Sequence, residues 1–373
     1  MSLPTAYLDE FDEPAGYLEF ASTGPVSRRV RSTMDEVLAA VAVPRGSVTD
    51  SLKDRYRRAV AAMASLVGVP GERATPIPST SAGLFQAAFG LIPAGGNVVV
   101  AAHEFPANLY PWHRAAALGG PQVRLLDVPD RRLTPERVAE AVDSGTVAVS
   151  VSLVDFAGGF RVDIAGLRAA AGDALLVIDA IQGLGAVRAE LGPADVLVAG
   201  GQKWLRSGWG SGVMAVSERA LERLSPTLTG WYAVEGFLDF DEPLPHEPRA
   251  GAERFQEGSP AMLGAFCLEA AVAVIDLAGI DTIEAAVLQR ATEVEEAVRA
   301  AGAEVLSPWR DESERAGILC FRMPGEDPET TRSRLAEAGV IVSRRSRWLR
   351  AAPHASTRSQ GVDLLREALE HPR

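Results

Sequence analysis

The chain has 373 residues, too many for one ordinary hydrophobic core, and two domains are the expected division. Its formal charge of -12 disfavours nucleic acid and anionic membrane surfaces as partners, because both demand a basic face. No run approaches the ~20 apolar residues of a membrane span, and the start, MSLPTAYLDEFDEPAGY, lacks a basic-then-apolar leader, so a soluble, cytoplasmic protein is expected.

Residues 50–68 read as an amphipathic helix, and STSAGLFQAAFGLI (79–92) as a helix opened by hydroxyl-bearing caps. From residue 97 to 216, the β-branched runs NVVVAAH, QVRLLDV, TVAVSVSLV, ALLVIDA, DVLVAGG and GVMAV alternate with helical stretches. Such continuous apolar runs predict buried strands of a mostly parallel sheet covered on both faces. Residues 225–260, rich in Pro, Gly and aromatics, predict long loops. Two helices (261–279 and 281–301), strands near 304–306 and 317–322, a helix near 328–338, strands near 340–352 and a final helix predict a smaller α+β domain. The expected division is a large α/β domain over 1–259 and a small domain over 260–373. Cys267 and Cys320 sit in apolar stretches and read as buried, reduced thiols.

In an open parallel sheet, ligands gather beyond the carboxyl ends of the strands, so polar residues that end apolar runs carry the candidate chemistry. LLVIDAIQG ends a strand on Asp179, with Gln182 three residues later, and Lys203 follows the next strand in GGQKWLRSGWGSG. The chain has only two lysines, Lys53 and Lys203, and uses Arg elsewhere for positive charge. An amine that can lose its proton and attack a carbonyl is what Arg cannot supply. Lys53 lies in a charged helical stretch and reads as a solvated residue. The five histidines lack metal-ligand spacing, and P-loop, G-x-S-x-G and dinucleotide fingerprints are missing, so no metal is expected.

The D-A-x-Q segment followed by a glycine-flanked K-W resembles fold-type I pyridoxal-phosphate enzymes of the class V aminotransferase-like group, which includes cysteine desulfurases, kynureninases and isopenicillin N epimerase-like proteins. The likeness runs from YLEFASTGPVS, near residue 17, to WLRAAPHAST, ending at 357. It implies pyridoxal 5'-phosphate joined to Lys203 as a Schiff base, Asp179 on the ring nitrogen and Gln182 as a polar neighbour of the ring. In HEFPANLYPW it places Phe105 over the ring, and in STSAG it places Thr80 and Ser81 on the phosphate. Gln202, beside the lysine, belongs to the cofactor site, and Ser259 of RFQEGSPAM would reach the phosphate of a neighbouring subunit, which implies a homodimer. SLVDFAGGFRVD (152–163) would line the pocket, and Arg350 would grip the substrate's α-carboxylate.

The chain also departs from the group's pattern. Gln202 stands where many relatives have His, Gly200 where many have a hydroxyl, and Leu153 where some have Asn. AGVIVSRRSRWLRAAPH holds no cysteine, which argues against a desulfurase, and Phe105 cannot move protons as a histidine would. The expectation is a class V aminotransferase; the alternatives are a PLP-dependent C-S or C-C β-lyase, an amino-acid epimerase, or, remotely, a non-catalytic PLP-binding regulatory module. The cluster Arg344 to Arg347 reads either as a site for a second acidic group or as a solvated strand end.

Overall fold

The structure, a computed structural model, describes residues 2–44, 47–241 and 243–370. Seven strands form the larger sheet: β1 (Ala74–Pro76), β2 (Asn97–Ala101), β3 (Gln122–Leu126), β4 (Thr146–Ser152), β5 (Leu175–Asp179), β6 (Val196–Gly200) and β7 (Gly212–Val216). Their order is β1-β7-β6-β5-β4-β2-β3. The neighbours from β3 through β6 pair in parallel, whereas β7 runs antiparallel to both β6 and β1. A parallel return needs a long crossover. Residues 201–211 contain no helix, so the chain turns straight back, and the loop that turns it carries Lys203.

The six predicted apolar runs are strands β2 to β7. Alternation on a strand sends successive side chains to opposite faces. On β5, Leu176 and Ile178 join one core and Leu175 and Val177 the other; on β6, Leu197 and Ala199 oppose Val196 and Val198. Both faces are therefore covered, and the polar groups that end these strands emerge at one rim. The predicted helix near 79–92 spans Thr80–Gly90, with Ser79 Oγ accepting from the Ala82 N–H at 3.2 Å.

A second sheet, with the order β10-β11-β9-β8, is antiparallel throughout: β8 (Glu304–Val305), β9 (Leu319–Arg322), β10 (Ser343–Arg345) and β11 (Trp348–Ala351). It packs with helices Pro328–Glu337 and Ser359–Glu370 around a separate core that includes Leu335, Leu349 and Leu365. The division after residue 259 differs from the packing in one respect. Helix Met262–Ile275, assigned by sequence to the small domain, sends Phe266, Leu268 and Val274 into the core of the large sheet. Helix Ile280–Ala300 then spans both cores, with Ile283 and Val287 in the large one and Val294 and Val298 in the small one.

The amino-terminal segment joins the two sheets. Leu18 exchanges backbone hydrogen bonds with Ile341 and Ala352, at 2.9 and 2.7 Å, and is buried in the small core. Phe20 and Ala21 enter the large core, and the Gly24 N–H donates to the Gln202 carbonyl at 2.8 Å. A Cβ on Gly24 would lie 1.9 Å from the Lys203 carbonyl oxygen, so only glycine permits this approach. Glu13 fixes the segment's other end through a buried ion pair with Arg206, Oε2 to Nη2 at 2.6 Å. The Arg206 guanidinium also donates to Ser356 Oγ and the Pro25 carbonyl, and lies 3.7 Å above the Phe11 ring.

Truncating one member of a buried, hydrogen-bonded ion pair strands the other charge. Glu13→Ala is expected to lower the unfolding free energy by about 3–5 kcal/mol, read from denaturant titration. Burial raises the Glu13 carboxyl, but Arg206 and Ser356 together bring it below the ordinary glutamate value. Its contribution is therefore full above the unfolded value and declines as pH falls through the folded one, so the gap between wild type and Glu13→Ala narrows in acid. An unchanged gap contradicts the assignment.

Candidate active site

Lys203 lies just beyond the end of β6, and Asp179 is the last residue of β5, its neighbour in the sheet. Asp179 is buried, and the one hydrogen bond to its carboxylate among the described residues comes from the Ile181 N–H to Oδ1 at 3.0 Å. Burial raises the carboxyl to about 6, against the pull of that N–H and of Lys203. Burial likewise lowers the Lys203 amine from 10.5 to about 8, opposed by Asp179 and assisted by Arg350 and Arg345. Its Nζ lies 5.5 Å from the centre of the Phe105 ring. Phe105 packs edge-on against Phe156 at 5.3 Å, on the loop that follows β4.

Thr80 begins a helix whose first N–H groups have no partner within it, an arrangement that favours an anion. Thr80 Oγ1 accepts from the Gly200 N–H at 2.8 Å, which docks this helix end to the tip of β6. Gln202 folds over the same point: a Cβ on Gly200 would lie 2.5 Å from Gln202 Oε1 and 3.1 Å from Thr80 Oγ1. The amide thus fills the space that a side chain at 200 would take, so glycine at 200 and glutamine at 202 act as one exchange. Ser81 follows Thr80 in the first turn of the helix.

Gln182 is buried, but its amide is partly committed. Its Oε1 accepts from the Trp204 indole at 2.9 Å and its Nε2 donates to the Ala21 carbonyl at 3.0 Å. One N–H remains for a ligand, so Gln182 also anchors the lysine loop to the amino-terminal segment.

Arg350 rises from β11 and is 1 % exposed. Nε donates to Ser343 Oγ at 3.2 Å, Nη1 to the Phe156 carbonyl at 2.7 Å and Nη2 to Ser22 Oγ at 2.7 Å. Two of its five N–H donors remain, one on each terminal nitrogen, which is the pair a carboxylate accepts. Among the described residues no carboxylate pairs with it, and burial together with Arg345 lowers it to about 9. A buried cation without a counter-ion is unfavourable unless a ligand supplies one.

Three elements of this site were not singled out by sequence. Ser22 joins the amino-terminal segment to Arg350. Asp155 receives Arg131 through Nε at 3.0 Å and Nη2 at 2.5 Å, and also accepts from the Ala157 and Gly158 N–H groups, so it shapes the turn that aims the Phe156 carbonyl at Arg350. Glu104 accepts from the Ser152 N–H at 2.7 Å and from the Ser152 hydroxyl, fixing the loop that carries Phe105. Burial raises the Glu104 carboxyl to about 7 against these bonds, and Asp179 and Asp155 add to the rise. All three positions fall inside segments whose resemblance was visible, but no spacing rule separates them from ordinary loop polar residues.

Ser259 is exposed and lines a surface cleft with Pro78, Ala82 and Gln86. Within one chain it is not grouped with Lys203, Asp179 or Arg350. Both cysteines are buried, and burial pushes Cys267 to about 11 and Cys320 to about 12. Cys320 stands opposite Arg350 in the β9–β11 pairing, held within a strand.

The donor set fits pyridoxal phosphate on physical grounds. It offers a buried carboxylate with Oδ2 uncommitted, an amine near neutrality, an aromatic face above it and a helix amino terminus for a phosphate.

Comparison with known proteins agrees. A probable cysteine desulfurase from Pyrococcus abyssi is 26 % identical, over 87 % of this chain and 83 % of its own length. A kynureninase from Deinococcus radiodurans is 29 % identical, over 71 % of this chain and 67 % of its own. Among solved structures, a variant of the cystine C-S lyase C-DES with glycine covalently linked to its PLP cofactor superposes with a TM-score of 0.86, covering 96 % of this chain and 97 % of that one at 17 % identity. The family profile "Aminotransferase class-V" matches residues 16–347, and the chain belongs to that family.

Proposed function

We propose that this protein holds pyridoxal phosphate on Lys203 and acts on an amino acid, with amino-group transfer as its reaction. The observation that carries the reading is Lys203 itself: a largely enclosed amine brought near 8, beside a buried carboxylate and facing Phe105. Pyridoxal phosphate, when bound, supplies an electron sink for breaking a bond at the substrate's α-carbon. Thr80 and Ser81, at the helix amino terminus, would hold the phosphate. Asp179 would keep a proton on the ring nitrogen, and Phe105 would cover one face of the ring. Arg350 would grip the α-carboxylate with its two remaining N–H groups. Lys203, with its amine brought near 8, would move the proton at the substrate's α-carbon, and the atom to which it returns that proton would decide the product. Ser259 would complete the phosphate site of a second subunit in a homodimer; its exposure in the single chain supports that role.

A β-lyase is the second reading, favoured by the kynureninase relative and by the C-S lyase fold. Sulfur transfer through a protein thiol is disfavoured, because Cys320 is buried, protonated and fixed in β9.

Three measurements check this account. With carbon-13 methyl labels on the lysines of the cofactor-free protein, the Lys203 signal is expected to titrate near 8; a midpoint near 10.5 contradicts the burial argument. In a panel of amino acids without a keto-acid acceptor, one turnover should release one equivalent of keto acid and no ammonia, and further turnover should require a keto-acid acceptor, which leaves as the new amino acid. Repeated release of ammonia, sulfide or a cleaved side chain establishes the lyase instead. Iodoacetamide at pH 8 is expected to leave both cysteines unmodified until the protein is unfolded; rapid alkylation of Cys320 in the folded protein would reopen the desulfurase reading.

A further inference from the structure

Residues two apart on a strand point to the same face, so β10 presents Ser343 and Arg345 together and turns Arg344 away. Arg350 of β11 stands directly opposite Ser343. The result is two guanidinium groups on one side of the small sheet. Both reach the same acceptor: Arg345 Nη2 donates to Ser22 Oγ at 3.0 Å and Arg350 Nη2 at 2.7 Å. A hydroxyl oxygen has two lone pairs and can accept both, but it brings no charge to offset the repulsion between them.

Among the described residues neither guanidinium has an ion-pair partner, in a chain where many arginines do. Arg131, Arg132, Arg161, Arg168 and Arg206, for example, each meet a carboxylate. Glu19 is close enough to act on Arg350 through its charge but pairs with neither group. Arg344, on the opposite face, approaches Glu329 at 3.6 Å. Arg345 otherwise donates to the Arg344 carbonyl at 2.8 Å, a contact that leaves its charge unbalanced. The field of Arg345 falls on Lys203 as well as on Arg350, so its head lies toward the reacting end of the site. Two adjacent cations fixed on one neutral hydroxyl form a receptor for two anionic groups on one small molecule.

We propose that Arg345 is a specificity-determining residue that binds a second anionic group, and that the substrate is an acidic amino acid carrying a carboxylate or equivalent oxyanion on its side chain. This rests on the reading of Arg350 as the α-carboxylate site. The side-chain oxyanion lies on the Arg345 side of Ser22, while the α-carboxylate takes the two remaining donors of Arg350. An uncharged side chain leaves Arg345 without a counter-ion, so neutral amino acids bind less well.

The test uses the purified holoenzyme and unreactive acids without an amine: succinate against butyrate and glutarate against pentanoate, with dissociation constants from calorimetry. A charge-assisted contact is expected to favour each dicarboxylate about tenfold or more over the monocarboxylate of equal length. Arg345→Gln should bring that ratio close to one, and Arg345→Lys, which keeps the charge but loses the planar fork, should give an intermediate ratio. Arg344→Gln, on the far face of the same strand, should leave the ratio as it is in the wild type. A wild-type ratio near one, or a preference that survives Arg345→Gln in a folded protein, overturns the proposal. Cofactor content is read separately from visible absorbance: a protein without pyridoxal phosphate sinks the functional reading, whereas a loaded protein without dicarboxylate preference sinks only this inference.

Discussion

The charge balance around one enclosed amine governs this structure. An ammonium largely withdrawn from solvent is unfavourable, and Lys203 responds by moving its equilibrium toward the neutral amine. Asp179 opposes that move from the end of the neighbouring strand, and Arg345 and Arg350 reinforce it from the small sheet. The amine is thus poised near physiological pH by groups from both domains. The hydrophobic core of the large sheet makes this possible, because the fully buried β5 and β6 leave Asp179 and Lys203 at adjacent strand ends with little freedom to move apart.

The two domains meet at this amine through the amino-terminal segment. Residues 17–24 pair with the small sheet, supply the Ala21 carbonyl to Gln182 and Ser22 to Arg350, and then lie against the backbone of the lysine loop at Gly24. A shift of the small domain would therefore pull on Ser22 and Gln182 together. The Asp155 turn adds a second link, since the Phe156 carbonyl holds Arg350 while its ring packs on Phe105. Arg350 and Phe105 are thus mechanically coupled through one residue.

Much of the architecture was legible in the sequence because fully buried parallel strands leave an unbroken apolar signature. Strands β2, β4, β5 and β6 follow from it, whereas β3 is a largely exposed edge strand and β7 runs antiparallel, both legible only as β-branched or apolar runs. Helix Arg28–Ala42 was not legible: only Val30, Thr33 and Val37 are buried, so its apolar stripe is narrow. Helix Met262–Ile275 was visible, but a helix apolar at nearly every position does not reveal which core it enters. Within the cleft, Asp179 ends β5, Lys203 follows β6 with its amine facing Phe105, and Arg350 lies on β11, all in segments that the sequence had singled out. Ser22, Glu104 and Arg345 owe their positions to contacts across 48 to 328 residues, which local spacing cannot encode. The open choice at Arg344 to Arg347 is divided by the pleat of β10, which turns Arg345 toward Ser22 and Arg344 toward Glu329.

The central claim is that Lys203 carries the cofactor. Reducing the purified protein with borohydride, digesting it and sequencing the peptides by mass spectrometry tests this directly, since the chain has only two lysines to tell apart. The account predicts a phosphopyridoxyl group on the peptide containing Lys203 and none on that containing Lys53. An unmodified Lys203 peptide from a protein loaded with pyridoxal phosphate, or modification of Lys53 alone, would contradict it.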